Sequence, residues 1–147
     1  MRRKVEGVVY NTKTAIFLGK YDAGYPKSDI RWSITELYKT KSGEYFLHGA
    51  GGPASPYASC DKLGTYSDGE KLIPMSQEKV ILWANEYLPD YELEKLYKSM
   101  FKEAKQHNLE VSPMIEETLK KIKMMKKEKK LAEAKVKYPK NSFPIDW

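Results

Sequence analysis

The chain begins with short segments in which apolar and β-branched residues alternate with polar ones, a pattern typical of β-strands. The clearest alternation runs from Arg31 to Thr40, and Glu44–His48 continues it after a short break. That break, Lys41-Ser42-Gly43, has the length and the glycine of a three-residue hairpin loop. The pattern therefore predicts an antiparallel hairpin in which Glu36 and Tyr38 share one face of the first strand.

Further strands are predicted on both sides of this hairpin. Val5–Tyr10 and Ala15–Tyr21 are apolar and β-branched, and the turn residues between them predict that the two segments pair with each other. Gly49–Gly69 contains five of the nine glycines and shows no periodicity, so we expect a long irregular loop there. Lys71–Pro74 predicts a short strand at a sheet edge, where proline is tolerated.

The second half of the chain changes to the period of amphipathic helices. Ser76 and Asp90 are expected to cap two helices, and Ser112-Pro113 is a start signal for a third. The predicted fold class is α+β, with an antiparallel sheet of four or five strands followed by a helical C-terminal half. We expect an α+β domain at residues 1–98 and a basic helical extension and tail at 99–147. The tail from Tyr138 is expected to dock onto the domain or onto a partner, and a disordered tail is the alternative.

Length and composition narrow the class of protein. A chain of 147 residues is long enough to bury a core of its own. Cys60 is the only cysteine, so an internal disulfide is excluded and a reducing, cytoplasmic compartment is expected. The residues after Met1 lack the apolar run of a signal peptide, and no stretch approaches the ~18 apolar residues of a membrane-spanning helix.

Positive charge is concentrated near the C-terminal end. The net charge of the whole chain is +6, whereas Leu119–Lys140 holds ten lysines against two glutamates and so carries +8. Such asymmetry indicates a polyanionic partner, either nucleic acid or an acidic protein surface. A solvated, lysine-rich helix without a partner is the alternative. The predicted nucleic-acid-binding residues are Lys120, Lys121, Lys123, Lys126, Lys127, Lys129 and Lys130.

His48 is the best candidate for chemistry, because imidazole moves protons near neutral pH. Arg31 can hold a phosphate, while Tyr38 and Glu36 can share proton transfer. These four residues form the predicted catalytic set. They would suffice for metal-free RNA cleavage, in which a 2′-hydroxyl attacks its own phosphate. The alternative is a histidine that forms structural hydrogen bonds only.

Two other candidate sites are less specific. The backbone N–H groups of Gly49-Ala50-Gly51-Gly52 could cradle a phosphate, but the segment matches neither the P-loop nor the dinucleotide fingerprint. A sharp turn that needs positive φ angles is the alternative for these glycines. Carboxylates at Asp61, Asp68 and Glu70 could bind Mg²⁺, although no Cys or His pair has metal-ligand spacing. The prediction is therefore a protein without a metal or another cofactor.

Several segments resemble a family of small proteins carried by phages, plasmids and integrative elements of Firmicutes. The resemblance covers residues 8–98, and its most specific part is Tyr45-Phe-Leu-His-Gly-Ala-Gly-Gly-Pro53. The other matching segments are Val9–Ala15, Leu37–Glu44, Ile73–Ser76 and Trp83-Ala84. The chain is also similar to some type II anti-CRISPR proteins, which block Cas9 by interfering with its guide RNA.

This resemblance implies a mobile-element accessory protein that acts in the cytoplasm of a bacterial host. Its expected activity is inhibition of Cas9 by binding or cleaving guide RNA. The expected partners are the guide RNA, the Cas9 ribonucleoprotein or both. No catalytic residue is implied by the family. Two alternatives stay open: a non-catalytic protein-interaction module, and a DNA-binding accessory factor of the element.

Overall fold

The computed structural model describes residues 1–137, with side chains to residue 132, and it shows an α+β fold. The predicted antiparallel sheet followed by a helical C-terminal half is confirmed. The strands are β1 (Arg2–Val5), β2 (Val8–Asn11), β3 (Ile16–Asp22), β4 (Ser33–Lys39), β5 (Tyr45–Gly51), β6 (Ser59–Cys60), β7 (Tyr66–Ser67) and β8 (Gly69–Met75). The helices are α1 (Gln77–Tyr87), α2 (Asp90–Gln106) and α3 (Pro113–Lys137). The predicted docking of the tail from Tyr138 lies outside the described residues.

The first hairpin differs from the prediction. β1 pairs with β2 through a two-residue turn at Glu6-Gly7, with φ angles of 49° and 81°. Two consecutive positive φ angles are the geometry of the tight turn that best matches the twist of a hairpin. The predicted strand Val5–Tyr10 therefore spans a turn, and its predicted pairing with Ala15–Tyr21 is wrong. β3, which covers most of that second segment, pairs with β4 instead.

The main sheet has the strand order β3-β4-β5-β8, and every neighbouring pair is antiparallel. The predicted β4–β5 hairpin is confirmed, with Gly43 in the left-handed conformation at φ 103°. The predicted edge strand is confirmed as β8, which contains Pro74 and begins at Gly69. The expected long loop is shorter than predicted, because β5 continues to Gly51 and the β6–β7 pair occupies part of the rest.

The β1–β2 hairpin covers part of one face of this sheet. Phe46 and Leu72 of the sheet and Tyr10 of β2 form the buried core there. The Phe46 ring lies 5.4 Å from the Tyr10 ring and 5.3 Å from the Tyr38 ring, between centroids. Arg3 of β1 donates from Nη1 to the carbonyl oxygen of Leu72 at 2.7 Å. His48 lies two residues beyond Phe46 in β5, so the fold places it on this same face.

Local signals start α1 and α3 as expected, whereas Asp90, the expected cap of the second helix, is instead the first residue of α2. Ser76 caps α1, where its hydroxyl oxygen accepts the backbone N–H of Lys79 at 3.3 Å. α3 begins at Pro113, directly after Ser112, whose carbonyl oxygen accepts the N–H of Ile115. None of the helices within the described part of the chain is both long enough and apolar enough to cross a membrane.

The chain divides into two compact units, 1–93 and 94–147, so the division lies inside α2. The first unit contains the sheet, both small hairpins and α1. The second contains most of α2 and the whole of α3. In the second unit α2 buries Leu96, Tyr97 and Met100, and α3 buries Ile115 and Ile122.

Candidate functional site

Three neighbouring strands bring two carboxylates to His48. Glu36 of β4 is the residue directly opposite His48 in the antiparallel register. Its Oε1 lies 3.5 Å from His48 Nδ1, while Oε2 of Glu70 in β8 lies 2.9 Å from His48 Nε2. The His48 side chain is 16% exposed, so the ring is largely enclosed by its neighbours. We refer to Glu36, His48 and Glu70 as the His48 cluster.

The two carboxylates of the His48 cluster lie against different nitrogens of the imidazole ring. A neutral ring donates from only one nitrogen, whereas an imidazolium donates from both. Both ring nitrogens of His48 face a carboxylate oxygen, so only the charged ring can donate to Glu36 and Glu70 together. The cluster thus connects β4, β5 and β8 through side chains as well as through the backbone.

Tyr38 extends this cluster and Arg31 does not. The Tyr38 hydroxyl donates a hydrogen bond to Glu36; burial, followed by the charge of Glu36 and this bond, raises the pKa of Tyr38. Arg31 instead binds Asp29, with Nη2 at 2.8 Å from Oδ2 and Nε at 3.0 Å from Oδ1. Its guanidinium also lies 4.2 Å from the centroid of the Tyr25 ring. The structure therefore brings together His48, Glu36 and Tyr38 of the predicted catalytic set. Arg31 is paired with Asp29 instead and is not part of this cluster.

Sequence reasoning did not connect Glu70 with His48. The predicted edge strand begins one residue after Glu70, so the sequence suggests only a metal-ligand role for this side chain. Asp61, another of the three proposed ligands, instead accepts the backbone N–H groups of Leu63 and Thr65 in the β6–β7 turn. Across the part of the chain that the structure describes, no three His, Cys, Asp or Glu side chains are arranged to hold a metal ion.

The glycines after His48 have a structural role that neither sequence hypothesis included. Gly49 and Gly51 pair with β4 and β8 on either side, so the ladder uses their backbone groups and no phosphate cradle forms. Neither they nor Gly52 has a positive φ angle. A Cβ at Gly49 would instead overlap the ring of Tyr57. These glycines are therefore needed for the close approach of the returning chain.

The basic segment forms an exposed helical surface. All seven lysines predicted to bind nucleic acid are exposed on α3. Helical spacing places Lys123, Lys126 and Lys130 on one stripe, at intervals of three and four residues. Between Leu119 and residue 132, Glu128 is the only acidic residue. The helix thus presents a dense positive charge that a polyanion can contact.

Comparison of the chain with protein-family models, with curated proteins and with solved structures finds no match in any of the three. What the protein binds must therefore be inferred from its own residues and contacts.

Proposed function

We propose that the protein is a mobile-element accessory factor that binds nucleic acid through the lysines of α3. Its proposed target is the guide RNA of Cas9, and inhibition of Cas9 in the cytoplasm of a bacterial host is the proposed result. The observation that carries the nucleic-acid proposal is the set of seven exposed lysines between residues 120 and 130, with one glutamate among them. The resemblance of Tyr45–Pro53 to the mobile-element family, together with the similarity of the chain to some type II anti-CRISPR proteins, supports the choice of target.

Lysine suits the phosphate backbone rather than the bases. Its ammonium group is a compact point charge with three donors, and it contacts phosphate oxygens without a fixed orientation. Neutralising phosphates releases condensed counterions, which gives affinity with little dependence on base sequence. A helix of this kind therefore supports binding to RNA backbone, with specificity for Cas9 supplied by other contacts.

The contacts of the His48 cluster favour binding over cleavage. Glu70 lies against Nε2 and Glu36 against Nδ1, so both proton-transfer positions of the ring face carboxylates. Two carboxylates also repel an approaching phosphodiester. Arg31, the residue expected to hold the phosphate, is bound to Asp29. We therefore infer that guide RNA is bound without being cut.

Replacing Lys120, Lys127 and Lys130 together with glutamine is expected to weaken RNA binding and its salt dependence. Each phosphate contact on a single strand contributes about 0.7 to the slope of log affinity against log salt, so the slope should fall by about 2. Fluorescence anisotropy with labelled guide RNA, repeated over a range of salt concentrations, measures both quantities. The matched control changes Lys4, Lys41 and Lys62 to glutamine. Equal losses in the two variants would contradict a binding surface on α3.

Guide RNA incubated with the protein in EDTA is expected to stay intact while Cas9 cleavage of its DNA target is blocked. His48→Gln should then inhibit Cas9 as well as the unchanged protein does. RNA cleavage that disappears in His48→Gln would instead identify a ribonuclease. Inhibition without RNA binding would favour the protein-interaction module, and tighter binding to duplex DNA than to guide RNA would favour the DNA-binding factor.

A further inference from the structure

The second unit contains a cavity of about 420 Å³ between α2 and α3. Glu94 and Lys98 line it from α2, and Leu119, Lys123 and Lys126 line it from α3. Pockets that hold small ligands have volumes of about 300–1,000 Å³, so this space is large enough for a phosphate with its attached nucleoside.

Helical spacing accounts for the convergence of these side chains. Glu94 and Lys98 are four residues apart and lie on one face of α2. Leu119, Lys123 and Lys126 follow at intervals of four and three residues and form one stripe of α3. Each helix therefore presents a single row to the cavity, and three of the five side chains end in ammonium groups.

Glu94 holds two of these ammonium groups in place. Its Oε1 lies 2.7 Å from Lys98 Nζ, and its Oε2 lies 2.6 Å from Lys126 Nζ. The hydrogen bond from Lys126, followed by that from Lys98, lowers the pKa of Glu94, so the carboxylate is ionised at neutral pH. Each lysine has three donors and uses one of them on Glu94.

The cavity keeps an excess of positive charge. Lys123 forms no ion pair with any residue whose side chain the structure describes, so one carboxylate faces three ammonium groups. The net charge at the cavity is therefore about +2, while Leu119 and the aliphatic parts of the charged side chains make most of its wall apolar. A dianionic or phosphodiester group matches this combination of charge and donors better than a neutral ligand does.

We propose that this cavity seats one phosphate group of the bound nucleic acid and that Lys98 belongs to the binding surface together with Lys123 and Lys126. This inference rests on the proposed function and adds α2 to it, since α3 alone was implicated by charge. Glu94 is a positioning residue, because it holds the ammonium groups of Lys98 and Lys126 on its two carboxylate oxygens. Each of these lysines keeps two N–H donors for a phosphate oxygen.

The test compares Lys98→Gln with Lys62→Gln, which removes the same charge from the β6–β7 turn of the first unit. The probe is a fluorescently labelled single-stranded RNA, with affinity measured by anisotropy at several salt concentrations. We expect Lys98→Gln to weaken binding roughly three- to tenfold at low salt and to lower the salt slope by about 0.7, as one lost phosphate contact predicts. Lys62→Gln should bind like the unchanged protein. Equal behaviour of the two variants, with helix content unchanged by circular dichroism, overturns the inference while the proposed function stands.

If the unchanged protein binds no RNA at all, inorganic pyrophosphate is the probe that tests the cavity separately from the proposed RNA binding. That result contradicts the proposed function, and the cavity is then judged by nuclear magnetic resonance. Pyrophosphate should shift the side-chain signals of Lys98, Lys123 and Lys126, and the shifts should be lost in Lys98→Gln. Unchanged signals at all three lysines overturn the cavity as an anion site.

Discussion

Gly49→Ala is expected to destabilise the first unit by about 2 kcal/mol or more, because overpacking a filled site usually costs about 1–3 kcal/mol. The added methyl group would occupy space that the ring of Tyr57 fills. That ring cannot move freely, since its hydroxyl is hydrogen-bonded to Thr35 Oγ1 at 2.6 Å. The backbone cannot retreat either, because Gly49 is paired with strands on both sides.

The sign of the change in the free energy of unfolding shows whether the added methyl group meets an obstacle. At a position with ordinary φ, Gly→Ala commonly stabilises a protein by about 0.4–1 kcal/mol, because it restricts the unfolded chain. Urea denaturation followed by tryptophan fluorescence gives the free energy of unfolding. The control repeats the substitution in a Tyr57→Ala background, where the alanine should cost little. Equal costs in the two backgrounds would show that Tyr57 is not the obstacle.

Phe46→Ala is expected to lower the free energy of unfolding by about 3–5 kcal/mol, the usual cost of emptying an aromatic core site. Phe46 is fully buried, and its ring contacts Tyr10 from the β1–β2 hairpin and Tyr38 from the sheet. Its loss would therefore weaken the attachment of the hairpin as well as the sheet.

The matched control is Phe17→Ala, the same chemical change in the edge strand β3. The Phe17 side chain is 51% exposed, and its ring contacts that of Tyr38 at 5.7 Å between centroids. Because little apolar area is lost, we expect a cost of about 1 kcal/mol or less. Chemical denaturation of both variants provides the comparison. Similar losses would mean that Phe46 is not the centre of this core.

The elements of the fold that the sequence predicted correctly are determined by residues that lie close together in the chain. Gly43 supplies the left-handed conformation of the β4–β5 turn, Ser76 caps α1, and Pro74 marks an edge strand. Each of these signals acts within a few residues of its effect. The predicted pairing of the first hairpin is wrong because Gly7 stands within a run of apolar and β-branched residues, a pattern that predicts one continuous strand. In the structure Glu6 and Gly7 form a tight turn, so β2 pairs with β1 and not with β3.

The sequence predicted only the part of the candidate site that lies within the β4–β5 hairpin. Glu36 and His48 come from paired strands, so alternation and turn length indicated that they could meet. Glu70 follows His48 by 22 residues, and an irregular segment between them hides the register of β8. The sequence indicated that Arg31 could bind an anion. It did not indicate that this anion is the carboxylate of Asp29, two residues earlier. Tertiary contacts of this kind leave no periodic signal.

The outer edge of β8 also limits which molecules can associate with the sheet. Exposed edges offer rows of free N–H and C=O groups, which can recruit a strand from another chain and start aggregation. Here Pro74 has no N–H to offer, and the carbonyl oxygen of Leu72 already accepts a hydrogen bond from Arg3. The β1–β2 hairpin thus does more than cover a core: it also helps to keep this edge from acting as a template for a strand of a second chain.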